Sequence, residues 1–283
     1  MARRRLALAS ACVALLALAG WSVLVVPDQL IVKTAIVVLP RWPRALDGLR
    51  VVAISDVHAG SPHVDVEKLR ALVTLANAQR PDLIALLGDY VIQGVPGGRF
   101  IPPETTAAEL GALRARLGVY AVLGNHDHWL DGPRVTRAFR AAGIAVIDDD
   151  VVPVRAEQGE LWLLGIHDIW TGWPDVRAQL RRIPAGVPVL ALTHNPDIFP
   201  SLPPGIDLVL AGHTHGGQVR LPLLGSLIVP SSYGQRFAQG HVVESGRHLF
   251  VTPGVGTSIV PVRLGVPPEI SLLILKSVSA AGG

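Results

Sequence analysis

Residues that can bind a metal ion recur in this chain directly after apolar segments. The apolar run at 206–210 is followed by Ala211-Gly212-His213-Thr214-His215-Gly216-Gly217-Gln218. His213 and His215 each offer a ring nitrogen to a divalent cation, and the flanking glycines let the backbone approach that cation closely. A lone His-x-His pair more often represents two loop histidines, so the rest of the chain must decide between these interpretations.

Four more apolar runs, predicted as strands at 49–54, 83–87, 119–123 and 187–192, end in similar side chains. These are Asp56 with His58, Asp89, Asn125 with His126 and Asp127, and His194. The carboxyl ends of strands form the ligand-binding crevice of an open α/β sheet. Many polar groups at one sheet edge would be costly without a cation to satisfy them. The mixture of carboxylate, imidazole and amide favours Mn, Fe or Zn over Ca or Mg.

Each of these residues also has an ordinary structural explanation. Asp56 and Asp89 are typical turn residues, Asn125 is a common helix N-cap, and His194 could belong to a proline-containing loop. All of these explanations would have to hold together, each time at the end of a strand. We therefore predict one shared site that holds a pair of cations.

The elements that must position this site follow an α/β pattern. Predicted helices at 65–78, 104–117 and 132–142 alternate with strands in the first half, and strands dominate the second half. With no internal repeat or linker in this region, we expect one α/β domain at 49–276. Residues 28–48 are expected to be a connector with one strand at 35–39.

The charge balance argues against a nucleic-acid partner. The chain has 283 residues and a formal net charge of +3, and Arg3, Arg4 and Arg5 account for all of that excess. The body is therefore neutral and has no basic stripe for a phosphate backbone. The single cysteine, Cys12, excludes an internal disulfide and a cysteine-based zinc site.

An apolar run at 6–26 follows the arginines, and its length of about 20 residues suits a membrane-spanning helix. We expect an uncleaved anchor at 1–27, with a cleaved signal peptide as the alternative. The arginines favour a cytoplasmic N-terminus and a body outside the cytoplasm. Lys33, Arg41 and Arg44, beyond the other end of the run, weaken that orientation.

Together these motifs resemble those of the calcineurin-like metallophosphoesterases. The motif set is Asp56-x-His58, Gly88-Asp89, Gly124-Asn125-His126-Asp127, His194 and Gly212-His213-x-His215. It follows the family's order over about residues 49–275. The fuller forms at 55–60 and 212–218 are similar to a membrane-associated bacterial branch, which includes UDP-2,3-diacylglucosamine pyrophosphatases of lipid A synthesis and exported phosphoesterases. The implied fold is a four-layer α/β/β/α sandwich of two mixed sheets, and the implied location is the bacterial inner membrane.

The resemblance also implies a role for each residue. One ion is held by Asp56, His58 and His215, the other by Asn125, His194 and His213, and Asp89 bridges the two. A hydroxide shared by the two ions attacks phosphorus. His126 stabilises the transition state or protonates the leaving oxygen, and Asp127 orients His126.

The sequence leaves the substrate open, as it does the oligomeric state. A nucleotide-linked lipid such as UDP-2,3-diacylglucosamine fits the anchor but is cytoplasmic, whereas an extracytoplasmic phosphomonoester or phosphodiester fits the expected topology. A non-catalytic metal-binding module is a further alternative, although no expected ligand is missing. His167 and Asp168 could lie near the site. Trp170, Trp173 and Phe100 could form a substrate wall or a membrane-facing lip, or simply pack within their loops.

Overall fold

Two six-stranded sheets form the centre of the molecule. The computed structural model describes residues 2–92, 94–157 and 159–278. The described helices are α1 (Ala2–Leu24), α2 (Val66–Ala78), α3 (Pro103–Leu110), α4 (Asn125–Ala141) and α5 (Val176–Leu180). Short 3-10 helices lie at Val26–Asp28, Arg44–Leu46, Pro196–Ser201, His215–Gly217 and Gly234–Phe237.

The strands divide between the two sheets and one small hairpin. They are β1 (Ile31–Leu39), β2 (Leu49–Ile54), β3 (Leu83–Leu87), β4 (Val119–Val122), β5 (Ala145–Val146), β6 (Val151–Ala156), β7 (Gly159–Ile166), β8 (Val189–Thr193), β9 (Leu208–Ala211), β10 (Arg220–Leu221), β11 (Gly225–Ser226), β12 (Gly240–Glu244), β13 (Arg247–Val251) and β14 (Glu269–Ser277). The first sheet has the order β1-β14-β2-β3-β4-β5 and the second β12-β13-β9-β8-β7-β6. Both sheets are mixed, because β14 runs antiparallel to β2, β6 to β7, and β12 to β13.

Alternation of side chains along the strands separates the molecule into layers. In β2, Val51 and Ala53 face the second sheet, whereas Val52 and Ile54 face the helices on the other side. Helices α2, α3 and α4 cover that outer face of the first sheet. Helix α5 and two of the 3-10 helices cover the outer face of the second sheet. The expected α/β/β/α sandwich is therefore confirmed, because each sheet buries both of its faces.

The connector expected at 28–48 contributes a full strand to the first sheet. Strand β1 has nine residues rather than the five expected, and it pairs in parallel with β14 along its whole length. This pairing ties the segment that follows α1 to the last strand of the fold. Since β1 is an edge strand, it pairs on one side only, and most of its largely apolar side chains are exposed or half-buried.

Two predicted helices have different bounds in the structure. Helix α3 ends at Leu110, just before Gly111, instead of continuing to 117. Helix α4 begins at Asn125 rather than near 132, so the predicted helix is only its second half. The two halves meet at a kink, where Asp131 is extended and Pro133 interrupts the hydrogen-bonding pattern. The first half of α4 thus starts inside the motif at 124–127.

The two sheets approach each other closely where β7 passes the residues after β5. A Cβ atom on Gly165 would lie 1.9 Å from the carbonyl oxygen of Ile147, whereas a Cβ on Gly159 of the same strand would lie 3.5 Å from its nearest neighbours. Neither glycine has a positive φ angle, so the close approach alone distinguishes them.

We therefore expect Gly165→Ala to destabilise the protein by about 1–3 kcal/mol, because the backbone of Ile147 has to move. The matched variant Gly159→Ala should stay within about 0.5 kcal/mol of the parent. Denaturant unfolding of the detergent-solubilised protein measures both changes. Equal unfolding midpoints for the two variants would contradict the close approach.

Candidate metal centre

The ends of five strands from the two sheets converge on one buried site. Strands β2, β3 and β4 of the first sheet and β8 and β9 of the second lead into it. All seven predicted metal ligands are buried there: Asp56, His58, Asp89, Asn125, His194, His213 and His215. Because parallel strands end at the same edge of a sheet, residues far apart in sequence meet at this point.

Asp89 lies between two groups of histidines. Its Oδ2 atom is 3.6 Å from His58 Nε2 on one side and 3.2 Å from His194 Nε2 on the other. The first group continues to His215, whose Nε2 lies 3.2 Å from His58 Nε2. The second continues to His213, whose Nδ1 lies 3.2 Å from His194 Nε2. Asp89 is therefore placed to contact both groups at once.

Asp56 belongs to the first group. Its Oδ1 atom lies 3.3 Å from His215 Nε2, and its Oδ2 atom accepts a hydrogen bond from the backbone N–H of His213 at 3.0 Å. That hydrogen bond joins the first sheet to the second. A second link runs the other way, because His194 Nδ1 lies 2.7 Å from the carbonyl oxygen of Leu87 in β3.

Five of the predicted ligands have backbone in the left-handed region, with φ between +44° and +70°: Asp56, His58, Asp89, His213 and His215. This conformation is uncommon for residues other than glycine and costs about 1–3 kcal/mol at each position. Its concentration at one place indicates that the fold maintains strain in order to aim these side chains. Sequence reasoning had no means of seeing this feature.

The arrangement of lone pairs fits a cation between the ligands. Carbonyl oxygens only accept hydrogen bonds, so His194 Nδ1 carries the proton that it shares with Leu87, and His58 Nδ1 likewise donates to Val91 at 3.1 Å. In a neutral ring, Nε2 then presents a lone pair, and in both histidines it faces the Asp89 carboxylate. The lone pairs of Nε2 and the carboxylate oxygen repel each other, whereas a cation between them is attracted to both.

Several buried polar atoms at the site also have no hydrogen-bond partner among the described residues: Asp56 Oδ1, Asn125 Oδ1, His213 Nε2 and His215 Nδ1. Leaving such atoms unpaired normally costs about 1–3 kcal/mol each. Two of the four, Asp56 Oδ1 and Asn125 Oδ1, are acceptor oxygens that a cation could use, whereas His213 Nε2 and His215 Nδ1 are the ring nitrogens opposite those that face the neighbouring histidines. The donor set is of the kind that two divalent ions would satisfy.

Burial sets the protonation of the ligands. It lowers the pKa of His58 to about 4 and that of His213 to about 3, and it raises the pKa of Asp56 to about 6. For Asp89, burial opposes ionisation, but the charge of the adjacent His194 holds the pKa of Asp89 well below its usual value. Burial acts to lower the pKa of His194, but the adjacent Asp89 carboxylate raises that pKa well above its usual value. At neutral pH His58 and His213 are therefore neutral, whereas His194 holds a proton that a divalent ion would have to displace.

Asp127 differs from the expectation that it orients His126. Its carboxylate accepts hydrogen bonds from the backbone N–H groups of Asp89 at 2.7 Å, Tyr90 at 2.9 Å, Val91 at 3.3 Å and Gly124 at 2.9 Å. His126 Nδ1, in contrast, has no hydrogen-bond partner among the described residues. The structure thus corrects the assignment: Asp127 holds the turn that carries Asp89.

A chain segment beyond the motifs packs against the first group of ligands. A Cβ on Gly254 would lie 2.6 Å from Asp56 Cβ, and one on Gly256 would lie 2.9 Å from His58 Cβ. The fully buried guanidinium of Arg263 donates to the carbonyl oxygens of Pro253, Gly254, Gly256 and Val266. Arg263 therefore fixes the loop on which Asp56 and His58 rest.

Comparison with known proteins agrees with this geometry. The sequence profile of the calcineurin-like phosphoesterases matches residues 49–217. The chain belongs to that family. It is 30% identical over 238 residues to the uncharacterized metallophosphoesterase YkuE of Bacillus subtilis, covering 83% of this chain and 82% of that protein. It is 31% identical over 235 residues to the phosphodiesterase YaeI of Escherichia coli, covering 80% of this chain and 82% of that protein.

A longer relative contains the same region. The transmembrane protein with metallophosphoesterase domain of Danio rerio is 32% identical over 251 residues, which is 83% of this chain but only 55% of that protein. Family membership makes this chain a metal-dependent phosphoester hydrolase. Helix α1 is apolar and long enough to cross a membrane, and relatives of this chain are described as transmembrane proteins. Both observations indicate a membrane protein.

Exposed aromatic rings border the site of this phosphoesterase. The Trp129 ring contacts the His126 ring edge-on at a centroid distance of 5.1 Å, and the Trp170 ring contacts His213 at 4.3 Å. The two indoles lie 6.3 Å apart with an interplanar angle of 23°. Trp170 was one of the candidates for a substrate wall, whereas sequence reasoning overlooked Trp129, although it follows the motif by only two residues.

A further cluster of titratable side chains, Asp148, His128 and His167, lies beside the phosphoesterase site. Asp148 Oδ2 is 2.8 Å from His167 Nδ1 and 3.4 Å from His128 Nε2. Asp148 follows a strand in the first sheet and His167 a strand in the second, so this cluster also bridges the sheets. His167 was a weak sequence candidate, and its neighbour Asp168 is fully buried. Asp148 was missed, although it too follows an apolar strand.

Charge in this cluster should stabilise the fold in a limited pH range. Burial acts to raise the pKa of Asp148, but the adjacent His128 and the hydrogen bond from His167 lower it to about 2. The hydrogen bond to Asp148 raises the pKa of His167. The carboxylate contribution is present above its unfolded pKa near 4, and the imidazolium contribution is fully present below its unfolded pKa near 6.5. The second contribution is lost as the pH rises through the raised pKa of His167.

Asp148→Asn should therefore destabilise the protein by roughly 1–3 kcal/mol between about pH 4 and 6.5, and by less at higher pH. Unfolding of wild type and variant at pH 5.5 and pH 9 measures the difference. The control is Asp150→Asn, which removes an exposed ion pair with Arg182 and should have a small effect at both pH values. A penalty for Asp148→Asn that is the same at pH 5.5 and 9 would rule out this explanation.

Proposed function

We propose that this phosphoesterase hydrolyses a phosphodiester with two divalent ions held between its sheets. Residues 49–276 would form the catalytic domain. The first ion would be held by Asp56, His58 and His215, the second by Asn125, His194 and His213, with Asp89 shared by both. The observation that carries the proposal is the position of Asp89, whose carboxylate faces the Nε2 atoms of His58 and His194 on two sides. Mn, Fe or Zn suits this mixed donor set best.

Bound divalent ions supply positive charge to the phosphoryl oxygens and lower the pKa of the attacking water. The residues of the chain supply the geometry. His126 is partly exposed, and its backbone N–H donates to Asp89 Oδ1 at 2.9 Å, so its ring lies at the accessible side of the site. We assign to that ring the protonation of the leaving oxygen or its charge stabilisation. Asp127 acts as a positioning residue for Asp89.

The proposed substrate class follows from the relatives. The Escherichia coli relative is named a phosphodiesterase, which favours a diester here. A nucleotide-linked lipid such as UDP-2,3-diacylglucosamine is the second candidate. It is favoured by the two exposed indoles of Trp129 and Trp170, because such rings can contact a base or an acyl chain.

For the topology, we propose that residues 1–27 anchor the protein in the bacterial inner membrane. The arginines at positions 3 to 5 would remain in the cytoplasm, and the catalytic domain would lie outside it. An extracytoplasmic site would meet phosphodiesters of the outer leaflet or the surrounding medium. A reporter fused to the C-terminus would establish the side of the membrane.

Substitutions separate metal binding from proton transfer. We expect Asp89→Asn to lose bound metal and turnover together, and His126→Ala to keep its metal but lose turnover by about 10²-fold or more. Hydrolysis of bis(p-nitrophenyl) phosphate and elemental analysis of the same preparations measure both properties. Near-normal turnover of either purified variant would refute its assigned role.

Metal removal should also change stability. Chelation should abolish hydrolysis and lower the melting midpoint, because metal bound only by the folded state stabilises that state. Adding Mn²⁺ or Zn²⁺ back should restore both hydrolysis and the melting midpoint in the wild type. In Asp89→Asn it should restore neither. A melting midpoint that does not respond to metal would argue against a site in this position.

A further inference from the structure

Six large apolar side chains are exposed on two neighbouring segments of the body. Leu223 and Ile228 in the hairpin region are 107% and 81% exposed, and Ile259 is 78% exposed. We call the whole set the apolar rim; it consists of Leu223, Leu224, Leu227, Ile228, Ile259 and Val260. A contiguous exposed surface of this kind is unusual on a protein that contacts only water, and it indicates an interaction site.

Hydrogen bonds join the two segments into one surface. The side chain of Gln218 donates to the carbonyl oxygen of Val260 at 3.1 Å and accepts from the backbone N–H of Ser258 at 2.7 Å. Val219 forms a β-bridge with Leu264, and Arg220 at the base of the hairpin donates to the Leu264 carbonyl oxygen at 2.8 Å. The hairpin and the loop at 258–264 are therefore packed side by side.

The same loop contacts the C-terminal end of α1. The backbone N–H of Arg263 donates to the carbonyl oxygen of Ser22 at 2.9 Å. His63 Nε2 lies 2.9 Å from the carbonyl oxygen of Val23, in the last turn of the helix. The apolar rim thus lies on the part of the body where α1 arrives.

Helix α1 indicates where a membrane surface would be. It has 23 residues, or about 34 Å, which matches the hydrocarbon thickness of about 30 Å. It is apolar enough to cross a bilayer and is mostly exposed in the structure. With the three arginines at one end of the helix, the opposite interface falls near Trp21, an aromatic residue typical of that level. The loop at 258–264, which carries Ile259 and Val260 of the apolar rim and contacts Ser22, would then meet that interface.

The apolar rim is also directly connected to the metal centre. The 3-10 helix at His215–Gly217 leads into Gln218, which holds the loop of Val260. A Cβ on Gly217 would lie only 2.6 Å from the carbonyl oxygen of Ile228. A membrane contact at the rim would hold the metal centre near the lipid headgroups, because only a few residues of chain separate the rim from His215.

We propose that the apolar rim lies in the bilayer surface and presents the metal centre to the phosphoester headgroup of a membrane lipid. This inference rests on the proposed hydrolysis of a phosphodiester and adds that the substrate is drawn from the membrane that holds α1. Continuity of the rim with the end of α1 selects the bilayer as the occupant rather than another protein. Exposed Arg220, at the base of the hairpin, supplies a positive charge at headgroup level.

The membrane contact can be tested without catalysis. In the full chain with Cys12→Ala, an environment-sensitive fluorophore is attached at Leu223→Cys, and the protein is placed in phospholipid nanodiscs containing nitroxide-labelled lipids. The matched control is Arg155→Cys, an exposed position on β6 near the opposite end of the second sheet. We expect a blue-shifted emission and nitroxide quenching at 223 and neither at 155.

Two other results would overturn the membrane contact. Emission at 223 as water-like as at 155 would show that the rim faces solvent. A blue shift without nitroxide quenching, which disappears on dilution of the protein, would assign the rim to a second copy of the chain.

Kinetics test the substrate class. In Leu223→Ser/Ile259→Ser, hydrolysis of a phosphodiester headgroup lipid in the bilayer should fall roughly tenfold or more, because two apolar contacts with the membrane are lost. Hydrolysis of soluble bis(p-nitrophenyl) phosphate should stay within about twofold, with the same metal content. The matched variant Val243→Ser, at an exposed apolar position of β12, should leave both rates unchanged.

Assays of the wild type distinguish a failure of the lipid inference from a failure of the proposed function. If it hydrolyses the soluble diester but no bilayer lipid, the lipid inference is wrong and the proposed function stands. If it hydrolyses neither substrate with any of Mn²⁺, Zn²⁺ or Fe²⁺, the proposed function is wrong and the lipid inference falls with it. Equal losses on both substrates in the rim variant would show that the rim supports the fold rather than the membrane contact.

Discussion

The structure depends on how the charge and lone pairs around Asp89 are balanced. Its carboxylate is fully enclosed and faces Nε2 of His58 and of His194 at 3.6 and 3.2 Å. Water cannot screen these groups, so positive charge must be present between them. The surrounding features serve this requirement. Left-handed backbone aims the ligands, glycines let neighbouring segments approach them, and the Asp127 carboxylate fixes the turn before them.

The two sheets share the work of building this site. The first sheet supplies the carboxylates and the second supplies three of the histidines, so neither sheet holds a complete ligand set. The packed core between them therefore sets the ligand distances. Hydrogen bonds from His194 to Leu87 and from His213 to Asp56 then tie the sheets together at the site itself. Interiors of this density deform little, which suits a centre that tolerates only small errors in ligand position.

The same fold connects chemistry to location. Strand β1 joins the segment after α1 to the first sheet, and the loop at 258–264 joins the end of α1 to the hairpin that follows the histidine motif. The metal centre and the apolar helix are thus held by one continuous set of contacts. Arg263 belongs to both regions, because its side chain supports the loop beneath Asp56 while its backbone contacts Ser22.

By itself, the sequence determined the family, the α/β class and the ligand candidates. Continuous apolar runs and polar residues at their ends are local signals, and His213, His215 and Asp89 each stand beside glycines that mark the turn. Only the tertiary structure decided which groups meet. It directed Asp127 to backbone N–H groups instead of His126, joined Asp148 to His167, and placed the loop at 258–264 between the hairpin and the end of α1. These are contacts between segments far apart in the chain, and no local pattern encodes the direction in which a side chain points once two sheets have packed together.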